Sequence, residues 1–207
     1  FYKIGDPHGL PHDPFKSCIL PRPIGWISTI SEEGIINLAP YSFFNALASD
    51  PPMVMFASNG NKPLGSKDSL ANAEATGEFV CSMATWELRH SMQISSSPEP
   101  SDVNEFELAN LSTEPSKLVK PPRVKEAPTH LECIYHSTIE LPSAIDDGRN
   151  AVCIGQVVGI HIRDEFLVEG KIDITRIRPI ARLGYKDYTV IESVFPLYPT
   201  KKNTDEV

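Results

Sequence analysis

A chain of 207 residues, 41% apolar and 22% charged, is long enough for one domain with a substantial core, and no Ser/Gly-rich linker divides it. Its net charge of −8 and pI near 5.2 run against the basic face that a nucleic-acid backbone requires, and its longest apolar runs, residues 53–57 and 157–162, fall far short of the ~20 residues of a membrane-spanning helix. The 19 prolines, set in short clusters, favour an all-β or α+β build rich in turns over a helical bundle.

The opening residues carry neither a basic n-region nor an apolar h-region, so no secretory signal is expected there. His8 and His12 flank Gly9 and Pro11, which argue against a helix, and two histidines without a third ligand make a poor metal site. Residues 1–16 therefore read as an exposed arm. Cys18, Cys81, Cys133 and Cys153 lack a CxxC spacing or zinc-spaced histidines, and they read as buried, reduced thiols of a cytoplasmic protein.

Residues 24–30 predict a strand, 31–34 a tight turn, and 35–38 its partner, followed by a polar-aromatic elbow over 39–45. Ser28 and Thr29 end the first strand, while Tyr41, Ser42 and Asn45 follow the second. The hairpin is expected to bring both sets to one sheet edge, a cradle for a flat ligand with a polar rim. Residues 49–52 turn the chain into an apolar strand over 53–58. The next loop, 59–69, resembles a P-loop, but Ser-Lys-Asp-Ser follows Gly65 where Gly-Lys-Ser/Thr is needed, so a triphosphatase is excluded. The loop still offers two lysines, hydroxyls and a helix N-terminus near residues 66–69, which suit a monophosphate. The same residues also suit a plain helix cap with solvated lysines.

A helix over 67–76 ends at Gly77, a strand follows over 78–84, and a helix over 87–94 presents His90 to solvent or to a partner. Residues 95–125, broken by prolines, read as an excursion over the sheet with a short helix at 103–109. From Leu131 to Leu141 apolar and polar residues nearly alternate, which predicts a long strand with Glu132, His136 and Glu140 on its wet face. A turn at 146–149 and a second long strand over 151–162, bent at Gly155 and Gly159, suit a sheet that curls into a barrel. The tail from Arg176 to Tyr188 reads as a last hairpin, with residues 1–200 forming one domain and 201–207 disordered.

The runs PRPIGWIST and NLAPYSFFN at hairpin distance, with KDSLANAEATGEF and ARLGYKDY further on, resemble the flavin-reductase-like, FMN-binding split-barrel family over roughly residues 15–192. The resemblance implies a mainly β fold with short helices, a Greek-key-like split barrel, and FMN as cofactor. Carried onto this chain, it puts Ser28, Thr29 and Ile30 of the first strand, and Ala39, Pro40, Ser42 and Asn45 of the elbow, around the flavin ring, with Trp26 and Tyr41 near the ring, at the dimer surface or in the core. It puts Ser58, Lys62, Lys67, Asp68 and Ser69 at the phosphate, and Arg182 and Tyr185, with Tyr188 nearby, back near the ring. It also implies a homodimer with FMN near the interface, NAD(P)H as a transient reductant, and release of reduced flavin to a partner oxygenase or another acceptor.

No Ser/His/Asp, Cys/His, zinc or paired-carboxylate constellation is visible, so neither a catalytic side chain nor a metal ligand is assigned. That suits a flavin, whose own chemistry carries the reaction. No Rossmann glycine fingerprint is present for the nicotinamide cofactor. The alternatives are an FMN electron carrier that oxidises no NAD(P)H, a pyridoxamine-phosphate-oxidase-like enzyme, and an interaction barrel without cofactor.

Overall fold

Segments rich in Ile, Val, Phe and Tyr form the strands of the computed structural model, which describes residues 1–60, 67–146 and 148–198. Lys62 and the 201–207 tail lie outside these residues. β1 (Arg22–Pro23) leads into β2 (Gly25–Ile30), β3 (Ile36–Tyr41), β4 (Phe44–Ser49) and β5 (Pro52–Gly60). Helix α1 (Asp68–Thr76) and β6 (Glu78–Met83) follow, then α2 (Arg89–Ile94), α3 (Glu105–Leu108) and the small pair β7 (Thr113–Glu114) and β8 (Arg123–Val124). The long β9 (Thr129–Leu141) and β10 (Arg149–Ile162) precede β11 (Leu167–Val168), β12 (Lys171–Ile172), α4 (Ile174–Ile177), β13 (Ile180–Arg182) and β14 (Tyr188–Val190).

Seven strands run antiparallel in the order β3-β2-β6-β9-β10-β5-β4. The two outermost, β3 and β4, are consecutive in the chain, with Ser42 and Phe43 between them. β3 pairs with β2, Tyr41 opposite Gly25, and β4 pairs with β5, Phe44 opposite Phe56. Ala57 N–H donates to the Phe43 carbonyl at 2.7 Å, so one bent path changes partners at this corner and closes the sheet into a barrel. The expected elbow is thus mostly strand: residues 39–41 extend β3 and 44–45 begin β4.

Gly25 permits the corner, because a Cβ there would stand 2.4 Å from the Phe44 ring. Gly25→Ala is expected to cost about 1–3 kcal/mol of stability in urea unfolding, since the ring is wedged inside the corner and has little room to move.

The barrel interior holds Ile27, Phe56, Phe79, Leu70, Cys81 and Cys133. A second core lies outside it, where Trp26, Leu38, Met92, Phe106 and Val124 pack between the barrel wall and α2 and α3. β2 is therefore buried on both faces, Ile27 facing one core and Trp26 the other. The excursion over 95–125 supplies this second layer. It also changes β9: Glu132, expected to be wet, is fully buried, whereas Ile139 and Leu141 are exposed beyond the covered part. His136 is exposed, as the alternation predicts.

Gly155 and Gly159 flank register shifts between β9 and β10, and Phe79 lies against Gly155, where an added Cβ would come within 2.3 Å of its ring. Cys81, Cys133 and Cys153 are buried free thiols, but Cys18 is exposed, because its short N-terminal turn lies on the surface. Burial pushes the Cys153 thiol up to about 12, so it carries no thiolate nucleophile at neutral pH. No helix among the described residues is long and apolar enough to cross a membrane.

Candidate functional site

The site is built around the barrel corner. Successive side chains of a strand point to opposite faces, so Pro40 and Ser42 turn outward while Tyr41 turns in against Phe56, their ring centroids 4.8 Å apart. Pro40 and Ser42 line a cavity of about 270 Å³ together with Ile24, Met92, Gln93, Ser96, Arg182 and Tyr188. Three distant stretches of chain meet there: the hairpin, α2 with the start of the excursion, and the tail.

Pairing of β13 with β1, Arg182 opposite Arg22, returns the tail to the hairpin. The Arg182 guanidinium lies 4.4 Å from the Tyr188 ring and donates to the Tyr188 hydroxyl and the Tyr185 carbonyl. The Tyr188 hydroxyl in turn donates to Gln93 Oε1 at 3.2 Å, tying the tail to α2. Arg22 anchors the junction by donating to the carbonyls of Lys16, Ile19 and Leu183, and burial, followed by the charge of Arg182, lowers its pKa. Among the described residues Arg182 has no carboxylate partner, which leaves a cation at the cavity wall.

On the other side of Tyr41 stands the start of α1. The Lys67 ammonium lies 5.6 Å from the Tyr41 ring, and burial, then the charge of Lys16, lowers its pKa. Lys67 occupies the N-cap position in an extended conformation, and its side chain makes no capping hydrogen bond. Ser69 Oγ donates to Asn37 Oδ1 at 2.7 Å, Asn37 Nδ2 donates to both Glu105 oxygens at 3.1 Å, and Leu38 N–H donates to Glu105 at 2.9 Å. This chain of bonds fixes α1 against β3. Among the described residues the buried Tyr41 hydroxyl has no hydrogen-bond partner, and burial raises its pKa against a smaller opposing influence of nearby Ser69.

A family model for the flavin reductase-like domain matches residues 17–177. The chain belongs to the flavin reductase-like family. An uncharacterized protein of Aquifex aeolicus is 39% identical over 171 residues, which cover 82% of this chain and 84% of that one. The crystal structure of nitrilotriacetate monooxygenase component B from Bacillus cereus is 30% identical, with a TM-score of 0.85 over 95% of this chain and 98% of its own. Flavoredoxin of Desulfovibrio vulgaris, 15% identical, shares the split-barrel fold at a TM-score of 0.74 over 97% of this chain and 98% of that one.

Several residues expected at the flavin ring of this flavin reductase-like protein take other positions. Trp26 is fully buried, with its indole N–H donating to Ser95 Oγ at 2.9 Å. The Ser28 hydroxyl is buried and donates to the Pro122 carbonyl at 2.5 Å, and Thr29 Oγ1 accepts from Asn72 at 3.2 Å. These three side chains tie β2 to the excursion and to α1, which cover its two faces. The expected meeting of both hydroxyl sets at one edge is corrected: Ser28 stands opposite Leu38 and Thr29 opposite Asn37, away from Tyr41 and Ser42.

Ile30 is half-buried at the end of β2, and Ala39 packs on the barrel core. Ser58 is buried in β5 opposite Ala151. Asn45 is exposed, its Oδ1 accepting from Ala46 N–H, and Tyr185 is exposed beside His12. Asp68 is half-buried, and burial raises its pKa. Sequence reasoning missed Ile24, Met92, Gln93 and Ser96 as cavity walls, and Asn37 and Glu105 as the support of α1. Ile24 and Asn37 stand inside the motif runs but at positions that carried no polar-cradle signal, whereas Met92, Gln93, Ser96 and Glu105 belong to no motif, and long-range contacts such as Tyr188 to Gln93 bring α2 to the corner.

The donor set suits a flavin mononucleotide. Arg182, Gln93 and Ser42 offer hydrogen bonds to a polar ring edge, and Lys67 with the start of α1 offers an anion site. A cavity of about 270 Å³ takes one edge of the ring system rather than the whole cofactor.

Proposed function

We propose that this flavin reductase-like protein binds FMN across the barrel corner and acts as an NAD(P)H:flavin oxidoreductase that supplies reduced flavin to an oxygenase or another acceptor. The observation that carries the reading is the cavity itself, which gathers Pro40, Ser42 and Arg182 from distant parts of the chain. The likeness to a monooxygenase component B supports the destination of the flavin. When bound, FMN supplies the two-electron chemistry, accepting hydride from NAD(P)H and passing the electrons on.

The chain's own residues bind and orient. Ser42 and Gln93 hydrogen-bond the ring edge, and Arg182, held in place by Tyr188, sets a positive charge beside it. Pro40, Ile24 and Met92 exclude water from the same wall. Lys67, with Asp68 and Ser69 at the start of α1, and Lys62 and Ser58 from the preceding strand and loop, receive the phosphate. Asn45 on the exposed edge of β4 and Tyr185 in the tail lie where a second copy and the flavin meet. The same reading expects a cytoplasmic homodimer.

The test is an anaerobic absorbance titration with FMN, followed by NADH or NADPH. Flavin bands that bleach on nicotinamide addition carry the reductase reading. Bands that persist transfer the protein to the electron carriers, and absence of any flavin binding removes the reading altogether. Lys67→Ala is expected to weaken FMN about 10- to 100-fold, the loss of one charge-assisted contact to phosphate, as read by quenching of flavin fluorescence.

A further inference from the structure

A second cavity of about 470 Å³ opens beside the first and shares Met92, Gln93 and Tyr188 with it. Its own walls are Trp86, Ile180 and Val190, which are apolar, with Arg89 and Thr189 as the polar groups. The size lies in the range of pockets that hold small organic ligands.

Arg89 decides what kind of ligand. Its guanidinium lies 3.9 Å from the Trp86 ring centroid, and its Nη1 donates to the Trp86 carbonyl at 2.6 Å. Stacking and that single bond hold the fork flat, and its remaining N–H groups have no hydrogen-bond partner among the described residues. Nearby Arg178 shows the contrast: it lies 5.4 Å from the same ring but is paired with Glu87 at 3.0 Å and Glu192 at 2.7 Å. Arg89 has no such carboxylate among the described residues. An uncompensated, preoriented guanidinium on an otherwise apolar cavity, in a chain of net charge −8, calls for an anion. A planar fork matches a carboxylate two bonds at a time, whereas a phosphate dianion would require more cationic donors than this wall offers. The Trp86, Ile180 and Val190 walls call for a flat apolar body behind it.

We propose that this cavity binds a flat apolar monocarboxylate, its carboxylate on Arg89 and its body against Trp86 and Val190, reaching toward the wall shared with the flavin cavity. The assignment of that ligand as a second reactant rests on the flavin reading, whereas its binding does not. Through the shared wall, a ligand seated here abuts the site assigned to the ring.

The experiment is isothermal titration of the full chain, free of flavin and again loaded with FMN, using 1-naphthoate and its neutral amide, 1-naphthamide. The acid is expected to bind the flavin-free protein, with the amide about tenfold weaker or more for want of the charge-assisted pair. Arg89→Gln should remove that preference while leaving amide binding in place, and Val190→Trp, which fills the cavity, should abolish binding of both. Neither variant should change FMN affinity more than about twofold, because neither residue lines the first cavity. Equal binding of acid and amide, retention of the preference in Arg89→Gln, or no binding of the acid would each overturn the site. Naphthoate binding to a protein that never takes up FMN would keep the site and remove the flavin reading. FMN binding and bleaching without naphthoate binding would do the reverse.

Discussion

Glu132→Ala is expected to lower the free energy of unfolding by about 3–5 kcal/mol, the cost of breaking a fully buried charged network from one side. Glu132 has no exposed surface, and its carboxylate accepts from Lys117 N–H at 2.8 Å, Leu118 N–H at 2.6 Å and His161 Nε2 at 2.5 Å. Burial pushes its pKa up, but these three donors outweigh burial and hold it below the usual carboxylate range. Truncation would leave two part-buried backbone N–H groups and the His161 imidazole without their acceptor and release residues 117–118 from the barrel wall. Glu132→Gln keeps the volume but turns an NH₂ toward a backbone N–H, so it is also destabilising. Urea unfolding followed by circular dichroism measures the loss. A change under about 1 kcal/mol would sink the account, being the size expected of an exposed pair. FMN affinity below the unfolding range should be unchanged, because Glu132 lines neither cavity.

The second large effect is on pH dependence. His130 is 2% exposed, with Nδ1 3.0 Å from Ser82 Oγ. Burial first, then the positive charges of Arg123, His161 and Arg163, lowers its pKa from 6.5 to about 3, against a smaller opposing bond at Ala127. The folded protein therefore keeps this imidazole neutral at pH values where the unfolded chain protonates it. Its contribution to stability is complete above about pH 6.5 and is lost progressively as the pH falls toward 3. The slope approaches 1.4 kcal/mol per pH unit, so about 1.5 kcal/mol should disappear between pH 6.5 and 5. Over that interval Glu132 contributes no loss, since its depressed pKa delays its own effect until the pH falls below its ordinary value of 4.5. Unfolding free energies of the natural chain and of His130→Gln, taken at half-unit steps from pH 7.5 to 5, check this: the variant should be less stable at pH 7.5 but flatter with pH. An unchanged slope in the variant would assign the acid sensitivity to other groups.

Both predictions turn on residues of one strand, β9, whose period-2 pattern was legible while its surroundings were not. Alternation from Leu131 to Leu141 identifies a strand and separates its two faces. It cannot tell whether a face meets water or a second layer of protein. Here the proline-broken excursion lies over Glu132 and His130, so polar residues at wet positions became a buried network, and Ile139 and Leu141 at dry positions stayed exposed beyond its reach. The same layer meets β2, where Trp26 and Ser28 hydrogen-bond to the excursion.

By itself the sequence determined the elements whose causes are local. The turn over 31–34 followed from Gly34, which takes φ 88. The end of α1 followed from Gly77, left-handed at φ 77, and the two long strands followed from side-chain periodicity. It also determined the family, through motif runs that span most of the chain, and with it the split barrel. Only the tertiary structure decided which of the motif's polar groups are free to act. A hydroxyl in a motif has the same identity whether it meets solvent, a ligand or the Pro122 carbonyl, and the choice depends on which distant segment packs over it. The cavity at the corner arises in the same way, from contacts joining Ser42 to Gln93 and Arg182, and such long-range pairings leave no periodic trace in the order of the residues.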